Sequence, residues 1–504
     1  MTTTKLSTAL LALLASACSF STNADELDLD LENRPCGDDD DCLDGAACVD
    51  ARCVVAEGEG EGEGEGEGEG EGEGEGEGEG EGEGEAEPIF TLTSGVPFAA
   101  EPSFVEAWGD NQMLAGGAFF NGSVIGVEGA SRSIERATAA DASFGIVFAA
   151  FTGDNIDFMI TADRHDAVFD VSAPRNGTGW WCGLAETEAV FTGDADANSF
   201  AYTGAWAGRF DAAGFVSPLV AFVGDGFIHP TGVATLGDGR GVVVGVYQGT
   251  FQVGAQSLPE SINGDVFVAR IATDGVTVES LTAFTSEGSR DPRLVTIDDE
   301  ATSLTFVAAA GDVRGAGIGP LSRDQPRAIV VLLDHSGASD IAAIATQLDV
   351  GVQDDAIIDI ATASTLSSSA FVFGAIRDGG FISTVIGDQV TTKTFGARVV
   401  AVASDGPTIV AALQPYGAGL IDIDGVGVDV VDEFDIVLAL FDENLEVLGA
   451  QTFGTAGQDR GGGLAFVDGD VVLAASIGDD LPGDEPSDEP PVQRLLRFEL
   501  APLP

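Results

Sequence analysis

Short apolar runs rich in Val, Ile, Ala and Phe alternate with Gly-, Asp- and Asn-rich breaks over most of the chain, as in GVVVGVYQ, DVFVARIAT, LTFVAAA, AIVVLLD and FDIVLALFD. No stretch sustains a 3.6-residue apolar period, so the pattern predicts strands joined by tight turns and no long helices. One strand–turn–strand unit recurs. Its clearest copies are GVATLGDGRGVVVGVY from Gly232, VVAVASDGPTIVAAL from Val399 and GLAFVDGDVVLAAS from Gly463. Looser copies begin at Phe104, Phe169, Arg293 and Ile357, which makes seven. The Asp-Gly and Asn-Gly pairs inside them are hairpin signals, because type I′ turns need positive φ. A second hairpin follows each first one, as in DVFVARIATDGVTVESLTAF from Asp265 and FDIVLALFDENLEVLGAQTF from Phe434.

Two hairpins per unit give four strands, and seven four-stranded antiparallel units predict an all-β, seven-bladed β-propeller over residues 88–504. The last unit stops at Pro504 one strand short, while an unassigned strand, Ile89–Thr93, precedes the first. That strand is expected to complete the last blade and remove an exposed sheet edge. A stack of β-sandwiches is the alternative, but it predicts neither a regular period of about 60 residues nor a split terminal unit.

The segments GQDRGGGLAFVDGDVVLAAS and GDVFVARIATDGVTVESLTAF resemble the bacterial seven-bladed β-propeller repeat family. In that family a Gly/Asp-rich crossover precedes a valine-rich hairpin, and an Asp-x-Phe-Val-Ala-(Lys/Arg)-apolar strand follows. The match is closest in units three, six and seven. The resemblance implies a surface or secreted role and brings with it no defined activity and no catalytic residues.

The first 87 residues are of another kind. Met1–Lys5 followed by an apolar run from Leu6 to Leu14 is too short to span a bilayer and reads as an export signal over residues 1–17. ALLASAC resembles a bacterial lipoprotein signal, which implies lipidation of Cys18, and Ser19 after it implies the outer membrane, facing the cell exterior. An ordinary secretory signal is the alternative reading. After a tether over 18–35, Cys36, Cys42, Cys48 and Cys53 crowd residues 36–53. In an exported chain these predict two disulfides of open connectivity; zinc is the competing reading, weakened by the absence of paired CxxC units. The segment resembles the small Dickkopf-like Cys-rich motif of bacterial surface lipoproteins. Residues 54–87 hold fourteen consecutive Glu-Gly pairs from Glu57 to Gly84, a self-repelling linker expected to stay unfolded.

Charge then narrows the partners. Of 84 acids and 21 bases, residues 88–504 hold 57 and 18, a net of 39 negative charges. Such a surface excludes nucleic acid and, by self-repulsion, predicts a monomer. The expected contacts are a lipid anchor and a surface protein or glycan. The long connections Gly249–Gly264, Gly311–Pro326, Gly417–Glu433 and Gly478–Val492 are expected as loops on one face. In LIDIDGVGVDVVDEFD, the alternating Asp422, Asp424, Asp429 and Asp432 are candidate Ca²⁺ ligands, with Asp194, Asp196 and Asn198 a second partial set. Calcium is the only cofactor these residues suggest, and solvated acidic turns are the plainer reading. Only three His occur: His165 and His229 in expected crossovers, and His335 in a hairpin turn. His165, with Arg164 and Asp166, is the sharpest polar cluster. No GxSxG, HExxH or P-loop is present. Cys182, beside Trp180 and Trp181, is expected as a buried free thiol. These residues leave a non-enzymatic binding or adhesion protein as the leading expectation. A surface polysaccharide hydrolase or lyase, with acids in the propeller mouth, and an envelope-assembly scaffold are the alternatives.

Overall fold

The computed structural model describes residues 46–49, 52–55 and 89–501, the last with interior gaps of which 134–144, 349–356 and 478–491 are the longest. Among the described residues every regular element is a β-strand. The chain divides into two compact bodies, one containing Ser21–Glu87 and the other Pro88–Pro504. In the first, Ala46–Val49 pairs antiparallel with Arg52–Val55 and sets Cys48 opposite Cys53. Cys18, Cys36 and Cys42 lie outside the described residues.

The second body is built from seven strand groups. Groups 1 to 3 are Ala100–Gly109, Gln112–Phe119, Gly145–Thr152, Asn155–Ala162; Asp170–Arg175, Thr178–Gly193, Ser199–Asp211, Val220–Val223; and Ile228–Thr235, Gly241–Val253, Gln256–Ile271, Val278–Phe284. Groups 4 to 6 are Ser289–Thr296, Ala301–Ala308, Arg327–Asp334, Ile341–Gln347; Ile357–Ser364, Ala370–Ile376, Gly379–Ile386, Gln389–Phe395; and Ala397–Asp405, Thr408–Pro415, Ile436–Phe441, Val447–Phe453. Group 7 runs Arg460–Val467, Asp470–Ile477, Val492–Leu500 and takes Phe90–Pro97 as its fourth strand, paired from Phe90 opposite Leu500 to Pro97 opposite Arg494. The early strand therefore completes the last group, four residues longer at its far end than the apolar pattern indicated.

Turn chemistry fixes these hairpins. Asn176-Gly177 and Asp468-Gly469 hold φ values of 48° and 74°, and 57° and 85°, the left-handed conformations that a two-residue hairpin needs. The apolar runs are continuous, not alternating, because both faces of each sheet are covered. In Gly241–Val253, Val242 and Val244 join a cluster with group 4, while Val243 and Tyr247 join one with group 2. An apolar cluster lies between each consecutive pair of groups, and another joins Val467, Val472 and Ala474 of group 7 to Val105, Met113 and Val147 of group 1. The first strands of the groups touch in the same cyclic order.

The long connections differ from expectation. Those at Gly249–Gly264, Gly311–Pro326 and Gly417–Glu433 are not loops but carry two-stranded ribbons, such as Gly311–Gly315 with Ile318–Arg323 and Gly419–Ile423 with Val426–Val430, while 478–491 lies outside the described residues. In groups 2 and 3 the ribbon is a direct extension of the second and third strands. Four of these ribbons bend over the outer strand of the preceding group, and we call them straps. Phe191 lies with Ile160 and Ala162, Phe251 and Val253 with Val220 and Phe222, Val313 with Phe284, and Ile423, Val428 and Val430 with Phe395. Two straps also hydrogen-bond into those strands, through Phe191–Ala162 and Val253–Phe222 register pairs. Group 5 has no strap, since Ile376 and Gly379 pair across a two-residue turn.

Candidate functional site

Charged side chains interrupt the apolar first strands of groups 1 to 4, and the fold brings them together. Glu106 Oε2 accepts the Ala173 N–H of group 2 at 2.7 Å. Asp170, the first residue of its strand, accepts Val233 N–H of group 3 at 2.7 Å through Oδ2 and Val171 N–H at 2.9 Å through Oδ1. Ser172 accepts Thr235 N–H at 3.0 Å, and Thr231 donates to the Pro292 carbonyl at 2.7 Å. Arg293 Nη1 donates to the Thr231 carbonyl at 3.4 Å, and Thr296 donates to the Thr235 carbonyl at 3.0 Å. Apart from the Val171 bond, each crosses from one group to its neighbour. Without these partners the backbone groups would be stranded in a poorly hydrated junction.

Electrostatics follow from that setting. Burial pushes the Glu106 carboxyl up, against the Ala173 N–H and Arg175, which favour its anion. Burial raises Asp170 to about 7, opposed by its two N–H partners and Arg293 and assisted by the Glu106 charge. Both carboxylates keep partial exposure although protein surrounds them closely, as in a narrow opening. His229 is buried in the first strand of group 3, not in a crossover as expected, with its ring 4.3 Å from Phe169. Burial and Arg293 lower it to about 4, so it is neutral at pH 7. A raised carboxyl at Asp170 and a lowered imidazole at His229, on the first strands of adjacent groups and both acted on by Arg293, are the sharpest chemistry among the described residues.

The aspartates singled out for calcium sit elsewhere. Asp422 and Asp429 point outward from a strap whose Ile423, Val428 and Val430 are buried, so their alternation is that of a β-strand with one wet face. Asp422 accepts the Gly425 N–H at 2.6 Å, and Asp424, at φ 52°, pairs with Lys393 of group 5. The fold does not gather the three: among the described residues no three acidic, His or Cys side chains are placed to hold a metal ion. Asp432, the Asp194–Asn198 set and His165 with its neighbours lie outside the described residues. His335 is in its expected turn, fully buried, with Nε2 2.8 Å from Thr302 Oγ1. Cys182 is a buried free thiol, pushed well up by burial.

The Arg of the recurring Phe-Val-Ala-Arg strand has a structural job. Arg270, 2% exposed, bonds Glu279 at 3.0 Å and reaches the His335 and Gly337 carbonyls of group 4 at 3.0 and 2.9 Å. Arg209 stands at the matching place in group 2 and donates to the Thr273 carbonyl of group 3. Each bolts one group to the turn of the next.

Glu106, Asp170 and Arg293 were missed in the sequence. The available signal was a charge inside FVEAW, FDVSA and RLVTI, where the copies from Val399 and Gly463 have only apolar residues or Gly.

No family model matches the chain, and no curated protein does. Several solved structures are similar in shape. The acylaminoacyl peptidase of Pyrococcus horikoshii aligns over 80% of this chain at 10% identity and a TM-score of 0.41, and the chain spans 53% of that protein's length. The parainfluenza virus 5 hemagglutinin-neuraminidase aligns over 82% of this chain and 95% of its own at 7% identity and a TM-score of 0.33. The Trypanosoma rangeli sialidase aligns over 80% and 55% at 11% identity and a TM-score of 0.30. At such scores, function has to be argued from this chain's own residues.

Proposed function

We propose that this chain is a lipid-anchored cell-surface β-propeller of seven blades that binds a protein or glycan and catalyses no reaction. The cyclic order of first strands and the apolar cluster joining group 7 to group 1 support the seven-bladed reading. The observation that carries binding is the use of the two axial carboxylates: both Asp170 oxygens and one Glu106 oxygen already hold backbone N–H groups, which leaves little for a substrate. The straps, by contrast, present side chains outward from a rigid base: Ile262 and Leu420 are each 78% exposed, and Asp422 and Asp429 flank Leu420. Aliphatic anchors among acids suit a ligand with apolar and basic or neutral polar groups.

In this reading Cys18 is lipidated, the Glu-Gly linker is the stalk, and Cys36, Cys42, Cys48 and Cys53 form two disulfides, with the Cys48–Cys53 register in support of one. Protease shaving of intact cells tests the location. Prompt release of the 88–504 body places it outside. Release only after the outer membrane is broken refutes surface display and favours the envelope-assembly role. Binding is tested on glycan and surface-protein arrays with the full chain. Loss of signal in a Leu420→Asp, Ile262→Asp double variant that melts like wild type is the expected result.

The raised Asp170 and Glu106 carboxyls favour one other reading, a surface polysaccharide hydrolase or lyase with these acids as its catalytic pair. Turnover of any polysaccharide that D170N and E106Q abolish without unfolding the protein would replace the binding reading with this one.

A further inference from the structure

The stalk joins the body at the strand that completes group 7, and the point of entry is held by more than the ladder. Ala501 N–H donates to the Ile89 carbonyl at 2.9 Å. Phe90 N–H donates to Gln451 Oε1 of group 6 at 3.2 Å. The Phe90 ring is 1% exposed and meets Phe453 edge-on at 6.2 Å, and Phe453 in turn lies 4.6 Å from Phe498. The Ile89 Cδ1 lies where a Cβ on Gly449 would sit, so a larger residue at 449 has to displace the end of that side chain. Two consecutive residues therefore engage the fourth strand of group 6, the third strand of group 7 and the chain's last described residue.

An antiparallel ladder pulled at one end opens pair by pair, and its resistance is that of the pair at the front. Here the front is Phe90 opposite Leu500, the end to which the linker is attached. We propose that Ile89 and Phe90, with Gly449, Gln451 and Phe453, form a tension clasp that keeps the body closed when the stalk is pulled. The clasp adds contacts to a second sheet at the place where peeling would start. Further along, the described ladder pairs are joined by a side-chain bond from Thr93 Oγ1 to the Arg497 carbonyl at 3.1 Å. The idea that this tension is felt in the cell rests on the anchored-stalk reading; the clasp itself does not.

The test is single-molecule pulling of the full, unlipidated chain between its termini, a geometry that peels the Phe90–Leu500 end directly. The expected first event in wild type is a discrete release of the Ile89–Pro97 segment, on the order of 30 Å of chain. In Gln451→Leu that release should be about tenfold faster at a given force, the loss of one part-buried hydrogen bond. Gly449→Ala should speed it further by displacing Ile89. Thr93→Val, behind the front, should leave it unchanged. Equilibrium unfolding of each variant reports whether the rest of the body is intact. Wild-type release kinetics in both Gln451→Leu and Gly449→Ala, or release in wild type without measurable force, would overturn the clasp. Failure of shaving or lipid labelling would remove the anchor while leaving this result standing.

Discussion

The first strands of groups 1 to 4 and those of groups 6, 7 and 1 are joined by opposite chemistry. Between groups 1 and 4, carboxylates, hydroxyls and a guanidinium reach across to backbone partners. Between group 7 and group 1 the strands come so close that a Cβ on Gly463 would overlap the backbone of Phe104 and Val105, and Gly461 sits against Val400 of group 6. One repeated strand thus meets its neighbour either at polar arm's length or by direct backbone approach. The polar half makes stability depend on pH; the glycine half depends on the absence of side chains.

The largest effect should come from breaking the glycine half. Gly463→Val forces a branched side chain into backbone and should cost about 3 kcal/mol or more, read as a collapse of the urea midpoint. Next is the bolt between groups 3 and 4. Arg270→Ala strands the Gly337 carbonyl and leaves the His335 carbonyl only a longer bond from Arg240 at 3.4 Å, and should cost about 3 kcal/mol, reduced somewhat because Glu279 keeps access to water. A loss below about 1 kcal/mol in the same titration would show the bolt to be dispensable.

The polar half is sharpened by pH. Asp170 is raised to about 7 when folded against an unfolded value of about 3.9, so its contribution is present in acid and is lost as pH rises from about 4 to 7. His229 is lowered to about 4 against about 6.5, so its contribution is present above that value and is lost as pH falls through the same range. In wild type the two slopes oppose one another. D170N should leave His229 opposed only by the raised Glu106 carboxyl, so the slope should shift toward loss of stability in acid by up to about 1.4 kcal/mol per pH unit relative to wild type. His229→Gln should tilt the curve the other way. Matching pH profiles in wild type and both variants would remove these groups as titrating pairs. The smallest effect belongs to Lys393→Ala, which breaks a mostly wet pair with Asp424 on a strap and should cost about 0.5 kcal/mol or less.

Much of the fold was legible because its signals are local. Continuous Val-rich runs, Asn176-Gly177 and Asp468-Gly469 turns and the missing last strand are readable without coordinates, and the pairing of Phe90–Pro97 with Val492–Leu500 follows from them. The aspartates of LIDIDGVGVDVVDEFD were read as loop ligands because a strap with one wet face and a metal loop share the same alternation. Only the cluster of Ile423 and Val428 with Phe395 of group 5 separates them.

The amino-acid sequence by itself determined the strand content, the recurring four-strand unit and the split last group, since each depends on neighbours along the chain. It also determined the strong acidity of the chain. The tertiary structure alone decided that three of the long connections are straps, that Glu106, Asp170, His229 and Arg293 lie on neighbouring first strands, and that Arg270 serves the next group's turn. Those contacts join residues about 60 apart or more, such as Asp170 with Val233 and Arg270 with His335, whose separation in space no local pattern encodes.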